Sequence, residues 1–295
     1  MNLRDLRYLV ALADAKHFGK AAAACHVSQP TLSAQIKKLE DYLGVKLLER
    51  HSRGMTLTEV GQELVERARG VLRDADEIVN LARDFRDPLA GKLCVALIPT
   101  VGPYLLPLVA KRLRNQLPRL RLMLYEYRTE PLLARLQSGD IDVGIIAVPA
   151  GADGTIEREL YREDFMVALP PQHALAHKAS VKISELSGEP LLLLEDGHCL
   201  RDQALEVCSR IDVNENQDYR ATSLETLRQM VAAGWGATLL PKLATTGPFA
   251  ADQGALIKPI AKPVPHRVVG AIWRKSSTRT VAIKAVCDVI AEAVK

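Results

Sequence analysis

The chain has 295 residues, 48% of them hydrophobic and 25% charged, with a net charge of +4. That length exceeds one core of ordinary size and suggests two or three units, while no apolar run approaches the ~18 residues of a membrane-spanning helix, so helical spans and a membrane partner are excluded. The five cysteines, Cys25, Cys94, Cys199, Cys208 and Cys287, are odd in number, scattered and without zinc-site spacing, so no metal and no cofactor is expected.

The opening MNLRDLRYLV lacks the apolar stretch and cleavage site of a signal peptide, which predicts a cytoplasmic protein. Leu3, Leu6, Leu9, Val10 and Ala13 recur at helical spacing and predict a first helix over 3–16. A short Ala-rich helix over 19–25 and a tight connection at His26 and Val27 follow. Ser28 then stands as N-cap of a third helix, with Pro30 in its first turn, where a missing N–H costs nothing. On that helix Leu32, Ile36, Leu39 and Leu43 form an apolar stripe, and Gln29, Ser33 and Lys37 line another face with Thr31 and Gln35 beside it. Two helices joined by a short turn, the second opening with small polar side chains, is the helix-turn-helix arrangement that places its second helix in the major groove of double-stranded DNA. Gln can bond adenine bidentately and Ser or Thr several base edges, whereas Lys37 and Lys38 suit phosphate. VKLLERHSRGMTLT then reads as two strands about Ser52-Arg53-Gly54, a wing with Arg50, His51 and Arg53 at its tip. The first sixty residues hold nine Lys/Arg against six Asp/Glu, a net +3 that permits nucleic-acid binding.

The stretches LRYLVALADAKHFGKAAAACHVSQPTLSAQIKKLEDYLGVKLLER and TLTEVG closely resemble the winged helix-turn-helix of LysR-type transcriptional regulators. The resemblance implies a DNA-binding domain over 1–58 that reads a pseudo-palindromic promoter site through Ser28, Gln29, Pro30, Thr31, Ser33, Gln35, Lys37, Arg50 and Arg53, with RNA polymerase as a partner.

A linker helix over 59–88 carries Leu64, Ala68, Val71, Ala75, Ile78, Ala82 and Phe85 at alternating steps of four and three, the spacing of a coiled-coil seam, and ends at Asp87-Pro88. A homodimer with two reading heads is expected, the alternative being a helix that lies on its own domain. Beyond Gly91, the apolar strands LCVALIP, RLMLYEY, DVGIIAV, FMVALP and PLLLLE alternate with helical stretches at 105–115 and 131–138, which predicts parallel sheets with helices on both faces. The fold class is therefore α/β, and the length suits two lobes. Ligands of open α/β sheets sit beyond the carboxyl ends of strands, which singles out IPTVG, YRTE and EDGHC. The region resembles the two-lobed, periplasmic-binding-protein-like effector domain of LysR-type regulators. That resemblance implies an effector domain over 89–295, with lobe I about 89–164 and 267–295, lobe II about 165–266, crossings near Asp164 and Arg267, and a tetramer as the common assembly.

Within EDGHCLRDQALEVC, Cys199 and Cys208 are nine residues apart. On a helix they stand about 13 Å from each other on opposite sides, whereas a disulfide needs Cα atoms within roughly 7 Å. They are either two buried structural thiols or a pair joined only when the segment unwinds. His198 and Arg201 can supply positive charge or hydrogen-bond donors near Cys199.

EDGHCLRDQ, IPTVGPYLLP and RATSLETLRQMVAAG closely resemble the hydrogen-peroxide-sensing members of the LysR-type family. By that resemblance Cys199 reacts with peroxide, Cys208 resolves it, and Thr100, Thr129, His198 and a basic residue of the last strand, Arg267, surround the reactive sulfur. The departure Pro265-His266-Arg267 leaves His266 as the other candidate for that basic role. Cys25, Cys94 and Cys287 read as packing residues, and His17, His26 and His51 as surface or packing residues. An enzyme of the thiol peroxidase type is not supported, because Asp196 and Leu192 stand where that chemistry needs Thr or Ser and Pro. A regulator answering to a small metabolite held between the lobes is the alternative.

Overall fold

The computed structural model of the chain describes residues 1–51, 54–84, 87–209, 211, 214–247 and 254–294. It divides into two compact units, Met1–Arg86 and Asp87–Lys295.

In the first unit α1 (Leu3–Ala15) opens with a capping box in which Asn2 accepts from the Asp5 amide and Asp5 from the Asn2 amide. Helix α2 (Phe18–Ala24) is capped by His17, whose Nδ1 accepts from the amides of Gly19 at 3.0 Å and Lys20 at 3.3 Å. His17 thus has a defined role that its isolation in the sequence did not suggest. The turn passes through His26 in the left-handed region, and α3 (Gln29–Leu43) starts on the Ser28 hydroxyl and stops at Gly44, φ 71°. Leu32, Ile36 and Leu39 are buried against Leu9, Leu12, Ala21 and Ala22, so the apolar stripe of α3 holds the three helices together.

The wing strands β1 (Leu48–His51) and β2 (Gly54–Leu57) pair antiparallel. Glu40 anchors their start by accepting from the amides of Leu47 and Leu48. Helix α4 (Glu59–Asp84) follows. Its Gly61 is required by close approach, because a Cβ there would lie 2.2 Å from the carbonyl oxygen of Leu47.

The first part of α4 packs on its own domain: Ala68 is buried, Leu64 is partly buried against the helix-turn-helix core, and Arg69 pairs with Asp14 of α1. Further along, Ala75 is half-buried and Val71, Ile78 and Ala82 are exposed in the single chain, Ile78 at 69%. Phe85 lies outside the described residues.

In the second unit β3 (Gly91–Leu97) pairs in parallel with β4 (Leu120–Glu126) and with β5 (Val143–Val148). These connect through α5 (Gly102–Gln116) and α6 (Thr129–Ser138). The long strand β6 (Thr155–Leu169) leads to β7 (Pro190–Leu194), α7 (Cys199–Cys208), β8 (Asn214–Ala221), α8 (Leu224–Ala232), β9 (Thr238–Pro241), β10 (Leu256–Pro259), β11 (His266–Arg274) and α9 (Thr280–Ala293). Among the described strands, the ladders β3–β4, β3–β5 and β7–β8 are parallel as expected. Strand β11 runs antiparallel to both β5 and β6, and β9 and β10 run antiparallel to β6. The sheet is mixed because β6 and β11 carry the chain out and back along each other, which alternation of local elements does not encode.

Strand β6 also extends ten residues ahead of FMVALP. Its first part, TIERELYRED, is largely charged and pairs with β11, and from Phe165 its partners become β9 and β10. Two cores result. One lies under β3, β5, β11, α5 and α9, and the other under β7, β9, α7, α8 and the end of β6.

Candidate functional site

The three strand-end segments lead into three helices. IPTVG feeds α5, YRTE feeds α6, whose first residue is Thr129, and EDGHC feeds α7, whose first residue is Cys199. None of these three helices receives a side-chain cap, and backbone carbonyls take up the first-turn amides of Gly102 and Tyr104 in α5 and of Arg201 in α7.

A cleft of about 1380 Å³ opens at the first residues of α6 and α7, lined by Thr129, Cys199, Gln203, His266 and Arg267 together with the 147–150 and 261–265 segments and Lys182. The buried hydroxyl of Thr129 has no hydrogen-bond partner, and the same is true of the side-chain carbonyl oxygen of Gln203, one turn along α7 from Cys199. A group able to both donate and accept hydrogen bonds would satisfy them.

Arg267 is 3% exposed, whereas His266 is exposed at the rim. The alternation of β11 turns the arginine inward and the histidine outward. Its guanidinium donates through Nη1 to Thr100 Oγ1 at 3.0 Å, through Nη2 to the Thr100 carbonyl at 2.9 Å and through Nε to Glu163 Oε2 at 2.8 Å. Thr100, 3% exposed, is not among the residues that line the cleft; it braces Arg267 from behind.

His198 is placed differently from the expectation. It lines a second cavity of about 440 Å³ with Tyr104, Tyr127, Arg128, Glu195 and Glu225, not the cleft of Cys199. Burial, and next the positive charge of Arg128, hold its imidazole below the ordinary 6.5, so the ring is neutral at pH 7 and supplies no positive charge. Nor is Arg201 an uncommitted charge, since its Nε sits 3.0 Å from Asp196. The Glu195–Gly197 loop ahead of Cys199 is clasped from the other lobe by Arg128, which reaches Glu195 at 2.9 Å and the Asp196 carbonyl at 3.1 Å.

All five cysteines are free thiols. Cys199 is partly exposed and packs beside the first core, whereas Cys208, at the far end of α7, is fully buried in the second. Burial pushes the Cys208 thiol up to about 11 and that of Cys287 up to about 12, and raises Cys94 and Cys25 as well. Helix α7 has ten residues, fewer than the ~12–15 that make even a favourable isolated helix marginal. Tertiary packing through Leu200, Ala204 and Cys208 therefore holds it.

At the start of and along α3, Ser28, Gln29, Pro30, Thr31 and Lys37 are exposed, and Ser33 and Gln35 are half-buried. The Ser28 and Thr31 hydroxyls bond each other at 2.8 Å. Arg50 is placed by its backbone on β1, and Arg53 lies outside the described residues.

The sequence reading missed Gln203, Glu163 and Arg128. Gln203 was findable, since i and i+4 share a helix face. Glu163 was not, because its partner is 104 positions away. Arg128 lay in a segment already singled out, but its contact with the 195–197 loop has no local signal.

The model for the LysR substrate binding domain matches residues 86–295, and that for the bacterial regulatory helix-turn-helix protein, lysR family, matches 3–62. The chain is 48% identical over 277 residues to the Escherichia coli "DNA-binding transcriptional dual regulator OxyR", covering 94% of this chain and 90% of that protein. It is 42% identical over 295 residues to a "hydrogen peroxide-inducible genes activator" of Haemophilus influenzae, covering 100% and 98%. Among solved structures, a full-length OxyR variant from Pseudomonas aeruginosa aligns with TM-score 0.77 at 41% identity, over 99% of this chain and 98% of that one. A peroxide-bound OxyR mutant from Corynebacterium glutamicum aligns at 0.69 and 36% identity, over 99% and 92%.

Proposed function

The chain belongs to the LysR family of bacterial helix-turn-helix regulators, and we propose that it is a peroxide-sensing transcriptional activator in which Cys199 meets the oxidant and Cys208 completes the switch. The observation that carries this reading is the placement of the two thiols. Cys199 opens α7 on a cleft that also holds the unpartnered Thr129 hydroxyl and the Arg267 guanidinium, while Cys208 is sealed in the other core. The relative from Haemophilus influenzae, a hydrogen peroxide-inducible genes activator, and the transcriptional regulator OxyR of Escherichia coli agree with it.

Hydrogen peroxide is a small donor and acceptor of the kind Thr129 and Gln203 lack. The Cys199 sulfur attacks one peroxide oxygen, the O–O bond breaks, and the proton given up by the thiol goes to the departing hydroxide, which leaves as water, with Cys199 now a sulfenic acid. Cys208 then attacks that sulfur, the S–O bond breaks, water leaves and the disulfide forms. The order is enforced, because a thiol held at about 11 in a closed core stays protonated until α7 unwinds. Residues at the two ends of the helix stand ~13 Å apart and must come within roughly 7 Å. Unwinding is thus built into the reaction and changes the shape of the regulatory domain. A dimer through α4, a tetramer of two dimers, a pseudo-palindromic promoter site and contact with RNA polymerase in the cytoplasm complete the proposal.

Cys199→Ser should abolish the transcriptional response to peroxide while leaving DNA binding by the reduced protein intact. Cys208→Ser should react but stop at the sulfenic acid and pass on to higher oxides. Peptide mapping after stoichiometric peroxide reads both. If transcription responds while both thiols stay reduced, the pair is not the switch. The size of the cleft favours one second reading, a small metabolite between the lobes, and a response that survives Cys199→Ser would select it.

A further inference from the structure

Glu163 lies at the end of the β6 segment that pairs with β11 and is 3% exposed. Its carboxylate is divided between two duties. Oε2 accepts from Arg267 Nε at 2.8 Å and lies 2.7 Å from Nη2, and Oε1 accepts from the Leu243 amide at 2.8 Å. Leu243 follows β9 and packs with the second core, while Thr100, bonded to the other side of the Arg267 guanidinium, precedes α5 of the first. Arg267 lines the cleft, and its side chain, 1% exposed, is held at the guanidinium by three groups: Thr100 of one lobe, Glu163 at the crossing and, through Glu163, the backbone of the other lobe.

We infer that Glu163 is a positioning residue for the peroxide reaction: by gripping Arg267 with one oxygen and lobe II with the other, it sets where the guanidinium faces the cleft of Cys199. The inference rests on the peroxide-sensing reading above. A buried charge pair of this kind contributes little net stability once desolvation is counted, so stability alone gives no reason for its place at the cleft. A guanidinium with its Nε side clamped can present only one edge, and orientation of a group toward developing negative charge is worth far more than its presence. The charge that develops here is on the peroxide oxygen that leaves.

Glu163→Gln is the direct test. The amide oxygen can still accept from Leu243, but the amide NH2 then faces the guanidinium donor to donor, and Arg267 loses its setting. In the full-length protein, the second-order rate of Cys199 oxidation by hydrogen peroxide, followed by acid quench and peptide mass mapping, should fall about tenfold or more. Alkylation of Cys199 by iodoacetamide needs the same anionic sulfur but no oriented leaving oxygen, so it should stay within about twofold of wild type, a split that general loosening of the fold would not produce. Because Glu163→Gln leaves an unpaired buried charge, the double variant with Arg267→Met, which removes both charges, provides a second measurement. It should oxidise no more slowly than Arg267→Met alone, since Glu163 acts through Arg267.

The inference is overturned if folded Glu163→Gln reacts with peroxide within twofold of wild type, if peroxide and iodoacetamide slow together, or if the double variant is tenfold slower than Arg267→Met. Wild type is the control that separates the two readings. A wild-type Cys199 inert to peroxide defeats the proposed function and this inference with it, whereas a reactive wild type matched by Glu163→Gln defeats the inference alone.

Discussion

His198 stands next to the reactive position in sequence yet faces another cavity, and its chemistry is decided by that cavity. Burial and the neighbouring Arg128 depress its imidazole, against a smaller opposing effect of Glu195 4.0 Å away. The unfolded chain takes up a proton near pH 6.5 while the folded chain resists it, so stability is present above that pH and lost as pH falls through the folded value. The urea midpoint of the reduced protein should accordingly drop between pH 7.5 and 5.5, and His198→Gln should flatten that drop. Parallel pH profiles for the two proteins would show that the ring titrates equally in both states. The adjacent residue pair 266–267 makes the same point about environment. Both are basic in kind, but only Arg267 is turned inward onto Thr100 and Glu163.

At the scale of elements, α4 and α7 are both only partly self-sufficient. The front of α4 is covered by its own domain through Ala68 and Leu64, whereas Val71, Ile78 and Val79 present a continuing apolar surface at 47%, 69% and 55% exposure. Of the seven seam positions, the middle ones are thus the natural place for a second copy. Ile78→Glu should leave the monomer folded, since nothing in its own chain buries that side chain, and weaken dimerisation by ~100-fold or more, about 2.7 kcal/mol. Sedimentation velocity reads the outcome, and a native assembly with that variant would place the interface elsewhere. Helix α7 is the reverse case. Its Leu200, Ala204 and Cys208 are buried in the second core and its first end is tethered by the Arg128 clasp, so in the proposed switch what it gains on refolding must come from the disulfide itself.

For the whole molecule, the proposed reading helix α3 and the proposed sensing thiols lie in separate units. On α3 the exposed Gln29 suits base edges and the exposed Lys37 suits phosphate. Gln29→Ala should relax sequence preference with little change in the salt dependence of binding. Lys37→Ala should weaken specific and random DNA alike and reduce the log–log salt slope by about one. Titrations of both sequences at several salt concentrations distinguish the two variants, and identical behaviour would reject the division of labour.

What the sequence by itself determined is whatever depends on neighbours along the chain. The helix-turn-helix came from the Ser28 cap, Pro30 and the Leu32-Ile36-Leu39 stripe, and the five apolar strands from their composition. The separation of Cys199 and Cys208 came from helix geometry alone, because helical period and capping are local properties. Tertiary structure decided the rest. The antiparallel return of β11, the extension of β6 through a charged segment, the grip of Glu163 on Arg267, the clasp of Arg128 on the 195–197 loop and the turning of His198 away from the cleft all join residues far apart in sequence. No local pattern encodes such pairings, since the free energy that selects them comes from burial and hydrogen bonding between segments that meet only when both lobes have formed.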